Sequence, residues 1–209
     1  AEAAAKGEHE RYQRLKADLL DRHLMTVEQL KLDPALRLDV SGWIEDRLHD
    51  FERFCRSVAT RRELTPRGLD LISALGERLS AAILANALTS AGVKAQAVEA
   101  TEIIVTDDRF GGASPLMDET QARVDARLRP LLDRGTLPVV TGFIGATREG
   151  VTTTLGRGGS DYTATILGAC LAADEIQIWT DVDGIMTADP RIVPEARTLP
   201  QMTYNEAAE

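Results

Sequence analysis

The strongest chemical signal in the sequence is Thr152-Thr153-Thr154-Leu155-Gly156-Arg157-Gly158-Gly159-Ser160-Asp161, a glycine-rich turn leading straight into an apolar helical pattern. Glycines there remove side chains so that backbone amides can face an anion, and the helix start adds partial positive charge. Arg157 supplies a planar fork suited to a carboxylate or phosphate. Asp161, one step into the helix, is either an ordinary first-turn acid or a functional one, and the local sequence leaves both open. A second signal runs from Trp179 through Thr180, Asp181, Asp183, Gly184, Met186 and Asp189 to Arg191. A strand that ends in such a polar loop lies where open α/β sheets bind nucleotides, beyond the carboxyl ends of their strands. A calcium loop fits less well, because the alternating oxygen ligands and closing Glu of an EF-hand are missing. Upstream, Ser73, Gly76, Glu77, Ser80 and Ala81 place one carboxylate on a helix face of very small side chains, since positions three and four apart share a side. That face either admits a ligand to Glu77 or packs against another backbone with Glu77 at its rim.

These residues need a scaffold, and the periodicity predicts one. Apolar residues at Tyr12, Leu15, Leu19, Leu24, Val27 and Leu30 mark a helix over 9–30. A connector containing Pro34 follows, then a second helix from Val40 to about Val58. Thr65-Pro66 opens a third helix that closes near Gly92, a capping residue followed by proline at the first helical position. From Lys94 the pattern changes to short β-like runs at 95–98 and 103–105, then the loop 106–112. Asp118 with Gln121 resembles a capping box for a helix ending at Arg134-Gly135. Residues 137–143 read as a buried strand, and 143–147 with 151–155 as a hairpin turning at Arg148-Glu149-Gly150. A helix over 160–172 and a strand over 175–180 complete the order. Helices alternating with short apolar strands predict an α/β class, with a mainly parallel sheet covered by helices on both faces.

Composition narrows the functional classes. The 209 residues suffice for one large core, and no apolar run in the sequence approaches the roughly 18 residues of a membrane span. A net charge of −9 argues against a general nucleic-acid binder, which needs a basic stripe. An anionic substrate must then be handled by a few placed arginines and amides. Cys55 and Cys170, each in an apolar helical pattern, read as buried thiols in a reducing cytosol. His9, His23 and His49 lack metal-ligand spacing.

Taken together, the segments 142–145, 152–163, 179–182 and 187–191 resemble the aspartokinase group of the amino acid kinase superfamily. Gly76-Glu77-Arg78-Leu79-Ser80 and Asp108-Arg109-Phe110-Gly111 match upstream family segments in the right order. The resemblance covers essentially the whole chain. It implies the three-layer α/β/α fold of carbamate kinase-like enzymes and transfer of the ATP γ-phosphoryl group to the β-carboxylate of L-aspartate. That reaction is the first step toward lysine, threonine and methionine. Glu77, Phe143, Arg157 and Ser160 are implied to hold L-aspartate, with Arg157 clamping a carboxylate and Asp161 organising the reacting centre. Gly158, Gly159, Thr180, Asp181, Met186 and Arg191 are implied to border ATP, with Mg²⁺ held mainly by phosphate oxygens. Met186 departs from the tyrosine often found at its position, although a flexible thioether can still pack a purine.

The resemblance further implies a cytoplasmic homo-oligomer and a catalytic segment incomplete at both ends. The family's Lys-Phe-Gly-Gly loop and later Gly-Ala-Lys segment have no match. Lys6, Lys16, Lys31 and Lys94 all precede the glycine turn. Losing a preorganised cation costs about 10² or more in rate, so activity near background is expected of residues 1–209 alone. The alternatives are a non-catalytic subunit or interaction module with this fold, and a kinase for another small carboxylate.

Overall fold

Apolar residues repeating every three or four positions fold the first part of the chain into helices: α1 (Glu2–Ala5), α2 (His9–Gln29), α3 (Pro34–Arg61) and α4 (Pro66–Ser90). The computed structural model describes residues 1–180, 184–203, 205 and 206, and the chain divides into two units, Ala1–Asp174 and Glu175–Glu209. The connector predicted around Pro34 is shorter than expected. Pro34 sits in the first turn of α3, where its missing N–H leaves no helical hydrogen bond unmade. α4 starts as its sequence predicts, with Thr65 Oγ1 accepting the Gly68 amide at 3.1 Å.

After α4 come β1 (Ala95–Val98), a single 3₁₀ turn (Ala100–Glu102), α5 (Met117–Arg127), α6 (Arg129–Asp133), β2 (Leu137–Val140), β3 (Ile144–Ala146), β4 (Thr152–Thr154) and α7 (Gly159–Leu171). β1 pairs with β2 in parallel, Ala95 opposite Leu137 and Val98 opposite Val140. β3 and β4 form the predicted hairpin, Ile144 opposite Thr154 and Ala146 opposite Thr152. Residues 103–105 contribute only one parallel bridge, Val105 to Ala146, because the Ile104 amide turns back to the Ala100 carbonyl at 2.7 Å. The predicted capping box is absent. α5 begins at Met117 with Leu116 as its cap, and the Gln121 amide donates to Asp125 and to the Cys170 carbonyl instead.

Three apolar clusters hold the first unit together. Tyr12, Cys55 and Val58 join with Ala3 and Ala4 of the alanine-rich start. Val27, Ile44, Leu48, Leu79 and Ile83 lock α2, α3 and α4. Ala74, Val98, Ile103, Ile104, Val124, Leu131, Ile144 and Ile166 bind α4 and α5–α7 to the strands. Leu48 is fully buried, so truncation to alanine would remove about 2–5 kcal/mol.

Contrary to the sequence expectation, one stretch does have the length and apolarity to cross a membrane: α4. It packs against α3, β1, β2 and β4 and carries Asp70, Glu77 and Arg78, while Leu69, Leu71 and Leu84 remain exposed. The two cysteines are buried free thiols, and burial pushes both above the usual thiol range.

In the second unit, 185–187 and 197–199 lie antiparallel around the Met186–Thr198 bridge. The Thr187 amide donates to the Arg197 carbonyl at 2.9 Å and the Leu199 amide to the Ile185 carbonyl at 2.8 Å. The predicted strand at 175–180 is not formed. Among the described residues it belongs to neither two-stranded sheet, and Ile176, Ile178 and Trp179 are exposed.

Candidate active site

The hairpin delivers the glycine turn to a fixed place. Leu155 closes it by donating its amide to the Phe143 carbonyl at 2.8 Å, after which the chain passes through Gly156 (φ 79°), Arg157 and Gly158 (φ 70°) into α7. Both positive φ values lie where a Cβ is costly, which is why the turn needs glycine at these two positions. The Gly159 amide donates to the Gly156 carbonyl at 3.0 Å, and the Ser160 and Asp161 amides have no i−4 acceptor within the helix, so that end carries partial positive charge.

Phe143 shapes the other side of the turn. It adopts φ 68°, rare for an aromatic residue, and is held by its amide donating to Thr163 Oγ1 at 2.9 Å while the Thr163 hydroxyl donates to the Gly159 carbonyl at 2.8 Å. A Cβ added to Gly159 would lie 2.8 Å from Phe143 Cδ2 and 3.2 Å from Leu155 Cβ, so the turn closes only around glycine. Gly142 is similarly pressed on Ser160, with a would-be Cβ 3.1 Å from Ser160 Oγ.

Glu77 of α4 meets this assembly. Ser73, Glu77, Phe143, Gly156, Arg157, Gly158, Gly159, Ser160 and Asp161 line one open cleft of about 510 Å³. Burial raises the Glu77 carboxyl above its ordinary value, an effect partly offset by the nearby Gly142 backbone amide. Arg157, Ser160 and Asp161 are exposed at the cleft. Among the described residues neither Arg157 nor Asp161 enters an ion pair, whereas Arg78, Arg148 and Arg191 hold Glu99, Glu119 and Asp189. The cleft therefore offers an available guanidinium, two carboxylates and a helix N-terminus within one small space. That set suits a small molecule bearing both carboxylate and ammonium groups.

Of the positions singled out in the sequence, Glu77, Phe143, Arg157, Gly158, Gly159, Ser160 and Asp161 come together. Thr180, Met186 and Arg191 belong to the second unit, and Asp181 lies outside the described residues. Met186 is half-buried against the bridge to Thr198. The Arg191 guanidinium is gripped by Asp189, Nε to Oδ1 at 3.1 Å and Nη2 to Oδ2 at 2.8 Å, which raises the arginine and lowers the acid. Sequence reasoning placed Ser73 on the small-residue face around Glu77 without assigning it to the site, and it missed the Gly142 amide near Glu77. Spacing held the first signal, since Ser73 precedes Glu77 by one helical turn. Among the described residues no three His, Cys, Asp or Glu side chains form a metal-sized cluster.

A model of the amino acid kinase family matches residues 4–209. The chain belongs to the amino acid kinase family. Within it, the chain is 41% identical over 191 residues to aspartokinase 1, chloroplastic, of Arabidopsis thaliana, a match covering 90% of this chain and 32% of that protein. Crystallised aspartokinase III of E. coli in complex with lysine and aspartate superposes with a TM-score of 0.85 at 34% identity, covering 100% of this chain and 45% of that one. The same E. coli enzyme in complex with aspartate and ADP gives 0.77 at 32% identity, covering 91% and 40%. The chain thus spans about a third of the curated plant relative, and it shares the α/β fold of the amino acid kinases.

Proposed function

We propose that this chain is the central part of an aspartokinase catalytic domain, which transfers the γ-phosphoryl group of ATP to the β-carboxylate of L-aspartate. The observation that carries the reading is the convergence of Glu77, Arg157, Ser160 and Asp161 in one cleft. The crystallised E. coli relative that binds aspartate and ADP supports the choice of ligands.

In this reading Arg157 clamps a substrate carboxylate, and Glu77 faces the substrate ammonium, whose positive charge would favour the ionised form that burial disfavours. The Ser160 hydroxyl and the Ser160 and Asp161 amides add donors, and Phe143 walls the cleft. A β-carboxylate oxygen forms the new bond to the γ-phosphorus as the bond to ADP breaks, giving 4-phospho-L-aspartate and ADP, the entry to lysine, threonine and methionine. Such transfer depends on positioning and charge neutralisation more than on covalent chemistry. Asp161 organises the reacting centre, and Gly158 and Gly159 leave room for phosphate beside the helix start. Thr180, Asp181, Met186 and Arg191 are assigned to ATP, and Mg²⁺ to phosphate oxygens and water. For Arg191 to reach a phosphate, its fork must exchange Asp189 for the nucleotide. A homo-oligomer in the cytoplasm completes the proposal; the plant relative is chloroplastic by name.

The test is hydroxylamine trapping of the acyl phosphate made by the full-length protein. Hydroxamate that requires ATP and forms with L-aspartate but not L-glutamate is expected. Equal rates with glutamate, or none with either, would refute the assignment.

A further inference from the structure

We propose that Asp70 is a positioning residue for the aspartate cleft, its carboxylate fixing the glycine turn to the helix that carries Glu77; this rests on the functional reading above. Asp70 lies in the first two turns of α4 and is only 2% exposed. Burying a carboxylate is unfavourable unless donors replace its water. Here Oδ2 accepts the Gly111 amide at 2.9 Å and the Thr154 amide at 3.0 Å, and Oδ1 accepts the Thr154 hydroxyl at 2.9 Å.

The donors belong to the two segments that set the turn. Thr154 ends β4, two residues before Gly156. Gly111 belongs to the loop on which Gly156 rests, since a Cβ on Gly156 would lie 3.4 Å from Gly112 Cα and 3.5 Å from the Gly111 carbonyl oxygen. That loop also ties the other side of Thr154, whose carbonyl accepts the Ala113 amide at 2.8 Å. Asp70, Ser73 and Glu77, spaced by three and then four residues, share one face of α4. One carboxylate therefore joins the helix bearing Glu77, the strand feeding Arg157 and the loop beneath the turn. If the link breaks, Arg157 and Glu77 lose their common reference, and a displacement of about 1 Å can cost up to about 10²-fold in rate.

The chemistry of the link distinguishes positioning from bulk stability. In Asp70→Asn the amide oxygen can still accept both backbone N–H groups while its NH₂ donates to Thr154 Oγ1, a hydroxyl able to accept. Asp70→Ala leaves the two buried Thr154 donors and the part-buried Gly111 amide without that acceptor. Kinetics of aspartyl hydroxamate formation by the full-length protein, normalised to folded protein by circular dichroism, provide the test. Asp70→Ala should raise the aspartate KM roughly tenfold and lower kcat, while Asp70→Asn stays within about twofold of wild type. Thr154→Val, which removes only the hydroxyl partner, should fold whatever happens to Asp70→Ala and raise that KM about two- to threefold. Wild-type activity with unchanged kinetics in folded Asp70→Ala, or in Thr154→Val if the former does not fold, would overturn the proposal alone. So would an Asp70→Asn enzyme as impaired as Asp70→Ala. A wild-type protein that forms no hydroxamate would instead overturn the functional reading, and this role with it.

Discussion

Gly159→Ala adds one methyl group at the tightest point of the cleft. The new Cβ would stand 2.8 Å from Phe143 Cδ2, 3.2 Å from Leu155 Cβ and 3.3 Å from Phe143 Cα, against the roughly 3.5–4.0 Å at which carbons pack. The ring edge can swing, but the Phe143 Cα cannot move freely. Its amide is held by Thr163 and its carbonyl by the Leu155 amide. Overpacking of this kind costs about 1–3 kcal/mol, and alanine in a helix returns at most about 1 kcal/mol relative to glycine. The net loss is about 1–2 kcal/mol, a fall of roughly 2–8 °C in Tm for a domain of this size. Gly76→Ala is the control, because nothing lies within 4 Å of its would-be Cβ in the middle of α4. It should raise stability by about 0.5–1 kcal/mol. Thermal unfolding of the full-length protein followed by circular dichroism reads both. An unchanged or raised Tm in Gly159→Ala would refute the packing argument.

Asp161→Asn should cut kcat by about 10² or more while the aspartate KM stays within about threefold, since its assigned role belongs to the transition state; a pure affinity loss in steady-state kinetics would contradict that role. For Glu77, burial raises the folded pKa above the ordinary carboxyl value, so its contribution favours folding below that value and is lost as pH rises through the raised one. Glu77→Gln should therefore flatten the fall of Tm toward neutral pH while weakening aspartate binding in calorimetry; an unaltered slope would count against it. Glu52 works in the opposite sense. Hydrogen bonds from Lys16 and then Arg56 bring it from 4.5 down to about 2, so its stabilisation is present above pH 4.5 and lost as pH falls toward 2. Glu52→Gln should lessen acid destabilisation in that window, measured by urea midpoints against pH.

What could be read from sequence was mostly local. The hairpin was legible because two short arms flank the turn Arg148-Glu149-Gly150, and the start of α4 because Thr65 and Pro66 act on neighbouring backbone groups. Glu77 was legible as an acid on a face of small residues, and the turn at 156–159 by its glycines. The strand at 175–180 was not, because a strand depends on a neighbour that its own residues do not specify, and the segment joins neither two-stranded sheet among the described residues. Asp118 and Gln121 had capping-box spacing, but Gln121 found Cys170 across the fold. Asp70 was missed for the same reason. Its partners Gly111 and Thr154 lie 41 and 84 residues away, distances that local pattern does not span.

The central claim is that L-aspartate sits between Glu77 of α4 and the turn at 156–161. A crystal structure of the full-length protein with L-aspartate tests it most directly. The account predicts density in that cleft, with a carboxylate against the Arg157 guanidinium and the amino group toward Glu77; aspartate bound elsewhere, with Arg157 facing solvent, would contradict it.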